Sequence, residues 1–301
     1  MSSLISMGQK AKEASYELGV ASPGQKNEAL TFMAEELIKA KEEIIKANEI
    51  DRQNAIKKGI TDALLDRLSL DDSRIEAMAQ GLLDIVKLQD PVGEVTNMWQ
   101  MPNGLQIGQK RVPIGVLGII YESRPNVTSD AAGLCLKSGN AVILRGASDA
   151  INSNKAVAKA LVAGIKRSGL PQDCVQLLED TSRETAREMM RLNDYIDVLI
   201  PRGGAGLIKS VVQNATVPVI ETGTGNCHIF VDETADLEMA KAIVLNAKVQ
   251  RPGVCNAAEK LLVHESIANE FLPTIVKALR ENGVEVRGCE KAQSIVDDIK
   301  V

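Results

Sequence analysis

Residues 114–146 read "IGVLGIIYESRPNVTSDAAGLCLKSGNAVILRG", and their pattern decides the fold. An apolar run, IGVLGIIY, is followed by a polar loop carrying Glu122, Ser123, Arg124 and Pro125. A helix-period stretch comes next and ends at Gly139, and a second apolar run, AVILR, begins at once. The alternation continues downstream through the helix SDAINSNKAVAKALVAGIKRSG, strand VQLL, helix SRETAREMMRL, strand DVLIP, helix GAGLIKSVVQNA and strand VPVIE. Short apolar strands separated by amphipathic helices imply a parallel sheet covered on both faces. Ligands of nucleotide type bind such sheets at the carboxyl ends of the strands.

Toward the amino terminus the pattern differs. "GEVTNMWQMPNGLQIGQKRVPIG" alternates around a turn signal, MPNGL, and predicts a hairpin. Residues 1–90 read as helical. Residues 22–59 predict one long helix, capped by Ser22 and Pro23 and stopped by Gly59. Leu30, Met33, Leu37 and Ile44 share its apolar face. Two shorter helices are predicted at DALLDRL and DDSRIEAMAQGLLDIVKL. The many charges on these helices read as solvated faces.

Toward the carboxyl terminus the unit restarts after ETGTGN. Strand HIFVD, helix ADLEMAKAIVLNAKVQ, a Gly/Pro loop, strand AEKLLVH, helix SIANEFLPTIVKALRENG and a short VEVRG strand precede a helix-like end. The expected organisation is a cofactor-binding domain at 1–225 and a second α/β domain at 226–301. Two or three strands are thin for an independent layer.

Composition bounds the rest. The 301 residues are 45 % hydrophobic and 25 % charged, as in an ordinary globular protein, and only 2 % aromatic, so the core is aliphatic. A formal charge of −5, without a basic run, disfavours nucleic-acid binding. No window is apolar enough to span a membrane. The five cysteines are scattered without a CxxC pair, which argues against a zinc site or disulfide framework and for a reducing cytoplasm.

The loop "QRPGVCNA" raises the chemical question. Cys255 follows Pro252 and Gly253, with Arg251 four residues upstream, able to stabilise a thiolate or an anionic substrate. A helical turn starting here would lower the thiol pKa. A small buried thiol under the loop is an equal reading. His264 closes the next strand, as a base for Cys255 or as a structural residue. Cys135 and Cys174 read as core, Cys227 and His228 as structural, and Cys289 is uninformative. Arg145, Gly146 and Ser148 end one strand and enter a helix. Arg202, Gly203 and Gly204 do the same at another. Both turns offer backbone N–H groups and a guanidinium to an anion. Glu122, Arg124 and Asn126 leave a third strand at the same edge, where Arg124 suits a carboxylate or phosphate and Asn126 an oxyanion, or where all three are ordinary loop-and-cap polarity.

In order, "YESRPNVT", "LKSGNAVILRG", "DVLIPRGGAG", "ETGTGNCHIFVD" and "QRPGVCNA" resemble the aldehyde dehydrogenase superfamily, and within it the γ-glutamyl phosphate reductases. The resemblance runs the length of the chain. It implies that Cys255 is the nucleophile and Asn126 the oxyanion donor. It places Arg145 at the cofactor ribose and Gly203 with Gly204 at the nicotinamide–pyrophosphate turn; together with the turns read above, Arg145, Gly146, Ser148, Arg202, Gly203 and Gly204 would hold NADPH/NADP, and Glu122, Arg124 and Arg251 would face the substrate, γ-glutamyl phosphate. Glu221 falls where hydrolytic members keep a water-activating Glu, catalytic or structural here. The resemblance further implies a homo-oligomer, association with glutamate 5-kinase, no metal, and a segment beyond Val301 that completes the catalytic domain. Competing readings are a CoA-acylating aldehyde dehydrogenase, a catalytically incomplete cofactor-binding fragment, and a Cys–His hydrolase, against which the two anion turns speak.

Overall fold

A computed structural model describes residues 3–223, 225–297 and 299–300. The chain divides into two compact units, Met1–Thr222 and Gly223–Val301.

The first unit opens with helices α1 (Ser3–Gly19), α2 (Pro23–Lys39), α3 (Lys41–Lys57), α4 (Asp62–Leu68) and α5 (Asp72–Lys87). α2 begins as the sequence predicts. Ser22 Oγ accepts the Gln25 N–H at 3.3 Å, Gln25 Oε1 accepts the Ser22 N–H at 3.0 Å, and Pro23 sits in the first turn. The predicted single helix over 22–59 is instead two. At Ala40 the backbone leaves helical geometry (φ −85°, ψ 4°), and α3 restarts with its own buried face, Ile44, Asn48, Asp51 and Ala55. The period-3.6 pattern continues across this jog, so apolar spacing alone could not show it. Gly59, at φ 70°, ends α3 as expected.

Strands β1 (Val95–Gln100) and β2 (Gln106–Lys110) form the predicted antiparallel hairpin. Beyond it come β3 (Val116–Tyr121), α6 (Asn126–Lys137), β4 (Ala141–Arg145), α7 (Ile151–Arg167), β5 (Val175–Leu177), α8 (Arg183–Met189), β6 (Val198–Arg202) and α9 (Ala205–Asn214). Among the described residues the strands form a parallel sheet in the order β5-β4-β3-β6. Every residue of β3 is buried, as its unbroken apolar run requires of a central strand. The predicted strand at VPVIE is reduced to one bridge, Leu199 to Val219. Pro218 has no N–H, so only its carbonyl joins the edge, accepting from Leu199 at 2.8 Å.

Close approach holds the helical layer to the sheet. A Cβ at Gly164 of α7 would lie 2.4 Å from the Met33 nitrogen of α2, so the crossing requires glycine. Buried polar groups fix where α7 begins. Asp51 of α3 accepts from the Asn152 amide side chain at 2.7 Å and the Ser153 N–H at 2.8 Å. Asn48 Nδ2 donates to Ser153 Oγ at 3.0 Å.

The second unit contains β7 (Cys227–Val231), α10 (Leu237–Val249), β8 (Ala258–Val263), α11 (Ala268–Glu281) and α12 (Glu290–Ile295), with β7 parallel to β8. Its core is Val231, Val244, Phe271, Ile275, Val276, Leu279 and Ile299. Among the described residues the VEVRG strand is a single bridge, Arg287 to Lys300, and the helix-like end is α12, which stops at Ile295; residues 298 and 301 of that end lie outside the described residues.

Candidate active site

In the first unit, parallel pairing places Ile120 beside both Arg145 and Pro201, and Tyr121 beside Arg202. The loops leaving β3, β4 and β6 therefore emerge at one edge of the sheet, as the anion-turn argument required.

Glu122 leaves β3 and turns onto α9. Its N–H donates to the Arg202 carbonyl at 3.2 Å, and its Oε2 accepts the Gly204 N–H at 2.9 Å. A Cβ at Gly203 would lie 2.6 Å from the Glu122 carboxyl carbon. Gly204 is the N-cap of α9, where the helix dipole favours a negative group. The Glu122 carboxylate thus caps the Gly203–Gly204 turn, the loop-and-cap reading of this segment. Arg202 is exposed at the end of β6. Arg124 forms the tight turn into α6, its N–H donating to the Glu122 carbonyl at 2.6 Å and its carbonyl accepting from Val127 at 3.0 Å. Asn126, exposed at the first residue of α6, donates to Asp130 Oδ2 at 3.0 Å. Glu221 is exposed just beyond the Val219 bridge.

Arg145 is anchored rather than loose. Its Nη2 donates to the Thr181 carbonyl at 2.7 Å, while its Nε is buried without a hydrogen-bond partner. Burial draws its pKa below the ordinary guanidinium value, and the Asp180 charge partly opposes this. Gly146 lies against a buried polar cluster. Tyr121 and Thr128 hydroxyls are 2.7 Å apart, and Thr128 donates to Asn154 Oδ1 at 3.1 Å. Ser148 opens a 3₁₀ turn, Ser148–Ala150, that leads into α7. Beside it a cleft of about 290 Å³ is lined by Asp51, Asn54, Lys57, Lys58, Ser148 and Asp149. Lys58 Nζ is 3.7 Å from Asp149, which also accepts from Ser123 at 3.2 Å. Lys57, Lys58 and Asn154 were not singled out from the sequence. The lysines read as a helix end before Gly59, and nothing in a linear sequence separates Asn154 from other helical amides.

In the second unit Cys255 is exposed, in a pair of turns between α10 and β8. Val254 N–H donates to the Arg251 carbonyl, and Ala257 N–H to the Val254 carbonyl, each at 3.3 Å. Arg251 is exposed in the same turns. The turns run straight into β8, so the helix start imagined at Cys255 is absent there and its dipole is not available to the thiol. A Cβ at Gly225 would lie 2.8 Å from the Cys255 carbonyl oxygen, and Cys227 Sγ donates to that oxygen at 3.5 Å. His264 is not a partner. The whole of β8 separates it from the loop, roughly 20 Å at about 3.3 Å per residue. Its Nδ1 instead lies 2.8 Å from Ser266 Oγ and 3.8 Å from Glu233. Cys135 and Cys174 are buried, and burial pushes each thiol up to about 12. Among the described residues no helix is long and apolar enough to cross a membrane.

The sequence model of the aldehyde dehydrogenase family matches residues 4–291. A Clostridium beijerinckii protein named γ-glutamyl phosphate reductase is 70 % identical over 300 residues, covering 100 % of this chain and 72 % of its own length. The crystal structure of the Thermotoga maritima protein of that name superposes with a TM-score of 0.93 at 52 % identity, over 99 % of this chain and 72 % of that one. The Saccharomyces cerevisiae structure of that name gives 0.69 at 32 % identity, over 99 % and 74 %. An exposed cysteine loop on one unit, a parallel sheet with glycine turns at its strand ends on the other, and this likeness along the chain lead to one conclusion: the chain belongs to the aldehyde dehydrogenase family of nicotinamide-dependent oxidoreductases, within its γ-glutamyl phosphate reductase branch.

Proposed function

We propose that the chain reduces γ-glutamyl phosphate to glutamate 5-semialdehyde and phosphate with NADPH, a cytoplasmic step of proline biosynthesis, through a thioester on Cys255. The observation that carries this is the exposed Cys255 thiol, presented on turns tied to Gly225 and Cys227, in a chain 70 % identical to a relative of that name.

The chemistry follows from the groups present. The Cys255 thiolate attacks the acyl carbon and phosphate departs. Phosphate is a good leaving group, so no general base is needed to expel it, and the distance of His264 is no obstacle. When bound, the reduced nicotinamide supplies a hydride to the thioester carbon. Collapse of the resulting hemithioacetal releases the aldehyde and returns the thiolate. Asn126 takes the oxyanion role. Its amide has two N–H donors and spends one on Asp130, leaving the other for a developing negative charge. Glu221, a water activator in hydrolytic relatives, has no water to activate in a phosphate-releasing reaction.

The residues at the carboxyl end of β4 fit a phosphorylated cofactor. Arg145 keeps an unpartnered buried Nε, Ser148 offers a hydroxyl, and Lys57 and Lys58 line the adjoining cleft. Two ammonium groups there suit the 2′-phosphate that distinguishes NADPH from NADH. Glu122 positions the Gly203–Gly204 turn for this role.

The test is the reverse reaction: phosphate-dependent reduction of NADP⁺ by glutamate 5-semialdehyde. Activity is expected in the parent and lost in Cys255→Ala. Equal activity in the variant overturns the assignment. Activity that requires CoA in place of phosphate reassigns the acyl acceptor.

A further inference from the structure

The Cys227 thiol has no part in the reaction above, yet it points at the nucleophile's loop. Cys227 is the first residue of β7 and is half-buried. Its Sγ donates to the carbonyl oxygen of Cys255 at 3.5 Å. That oxygen and the Cys255 thiol belong to the same residue, so the two thiols sit on directly contacting residues. The backbone holds the two segments together. Cys227 pairs with Ala258 in the parallel ladder, and a Cβ at Gly225 would lie 2.8 Å from the Cys255 carbonyl, so only glycine admits the loop this closely. A disulfide requires Cα atoms about 4.4–6.8 Å apart, and the linked peptide sought below tests that the pair reaches it.

We infer that Cys227 is a resolving thiol for Cys255, protecting it by a reversible disulfide. This rests on the reading of Cys255 as a reactive thiolate. A hydroperoxide is the oxidant. The Cys255 thiolate attacks its terminal oxygen, forming an S–O bond as the O–O bond breaks. The sulfur is oxidised by two electrons to a sulfenic acid, and the departing alkoxide takes a proton from solvent. The Cys227 thiol then attacks the Cys255 sulfur. An S–S bond forms, the S–O bond breaks, and the oxygen leaves as water carrying the Cys227 proton. A solvent dithiol reverses the product. Without a resolving partner a sulfenic acid proceeds to sulfinic acid, which dithiols do not reverse.

The experiment treats the full chain with hydrogen peroxide, blocks remaining thiols with N-ethylmaleimide, and maps digested peptides by mass spectrometry with and without dithiothreitol. Cys289, exposed at the start of α12, is the internal control. The expected product is a Cys227–Cys255 linked peptide that dithiothreitol removes. In Cys227→Ser, which keeps a donor for the Cys255 carbonyl, irreversible oxidation of Cys255 should rise several-fold. In Cys227→Ala it should rise equally, since the lost thiol and not the hydrogen bond is responsible. Oxidised Cys255 that never links to Cys227, or equal reversibility in parent and variants, overturns the inference while leaving the nucleophile in place. Cys255 that stays reduced while Cys289 oxidises instead overturns the thiolate reading, and the inference with it.

Discussion

Gly146→Ala probes how the fold builds the turn at the end of β4. The glycine does not occupy the left-handed region, so alanine is conformationally acceptable and the effect is steric. A Cβ here would lie 2.1 Å from Asn154 Nδ2, 3.1 Å from the Tyr121 ring carbon that bears the hydroxyl, and 3.2 Å from that hydroxyl. Tyr121 and Asn154 are buried, at 1 % and 0 % exposure, and cannot swing into solvent. Overpacking of this kind costs about 1–3 kcal/mol. Displacing Asn154 also breaks the 3.1 Å bond from Thr128, worth about 1 kcal/mol. The expected loss is therefore about 2–4 kcal/mol. Asn154→Ala alone should cost about 1 kcal/mol, because it removes an amide whose Nδ2 has no partner and leaves Thr128 bonded to Tyr121. In the double variant the new methyl enters the space the amide vacates, so the two changes should couple favourably by about 1–3 kcal/mol. Because the chain holds two units, a single global transition is a poor readout. Hydrogen exchange at β4 amides under mild urea reports the first unit alone. Gly146→Ala within about 0.5 kcal/mol of the parent, or a double variant whose losses simply add, would refute the packing argument.

Three further outcomes are expected. Gly164→Ala should destabilise the first unit by about 3 kcal/mol or more, since the added carbon meets backbone atoms of Phe32 and Met33 that no rotamer change can move; unchanged hydrogen exchange at first-unit amides in urea would contradict the α2–α7 crossing. The Cys135 and Cys174 thiols are raised to about 12 in the fold, so their contribution is intact below the free-thiol pKa of about 8.5 and is lost as pH rises toward the folded value, about 2 kcal/mol each by pH 10. Replacing either with Ala should flatten the fall in first-unit stability, read from its own amides in urea, between neutral and alkaline pH, and an equally steep fall would refute it. Lys57→Gln with Lys58→Gln should weaken NADPH binding about tenfold by calorimetry and leave NADH unchanged; equal loss for both cofactors would place the lysines away from the 2′-phosphate.

The sheet was readable because its signal is local. An unbroken apolar run such as β3 can be buried on both faces only in a covered parallel sheet, and the turn chemistry after each strand marks where it ends. The departures come from backbone terms that side-chain periodicity does not carry. The jog at Ala40 preserves the apolar face while breaking the helix, so 22–59 looked continuous. Pro218 sits in an otherwise strand-like run and reduces it to one bridge by withholding a donor.

The site divides along the same line. Which residues face the carboxyl edge of the sheet follows from strand ends, so Arg145, Arg202 and Glu122 could be named without coordinates. What each one touches depends on partners distant in sequence. Glu122 is charged and leaves a strand end, which suits a ligand or a cap equally; only the structure shows the cap, at a helix N-terminus 82 residues away. Cys255 shows the reverse. Its exposure was legible from a Gly/Pro loop, while the helix start expected beside it is replaced by turns that run into β8. A thiol that lacks both a helix N-terminus and a histidine within reach depends on solvent exposure and on its loop being held in place. The residues that hold it, Gly225 and Cys227, come from the start of another strand. One of them is itself a thiol, so the contact that holds the Cys255 loop is also the one on which the proposed disulfide rests.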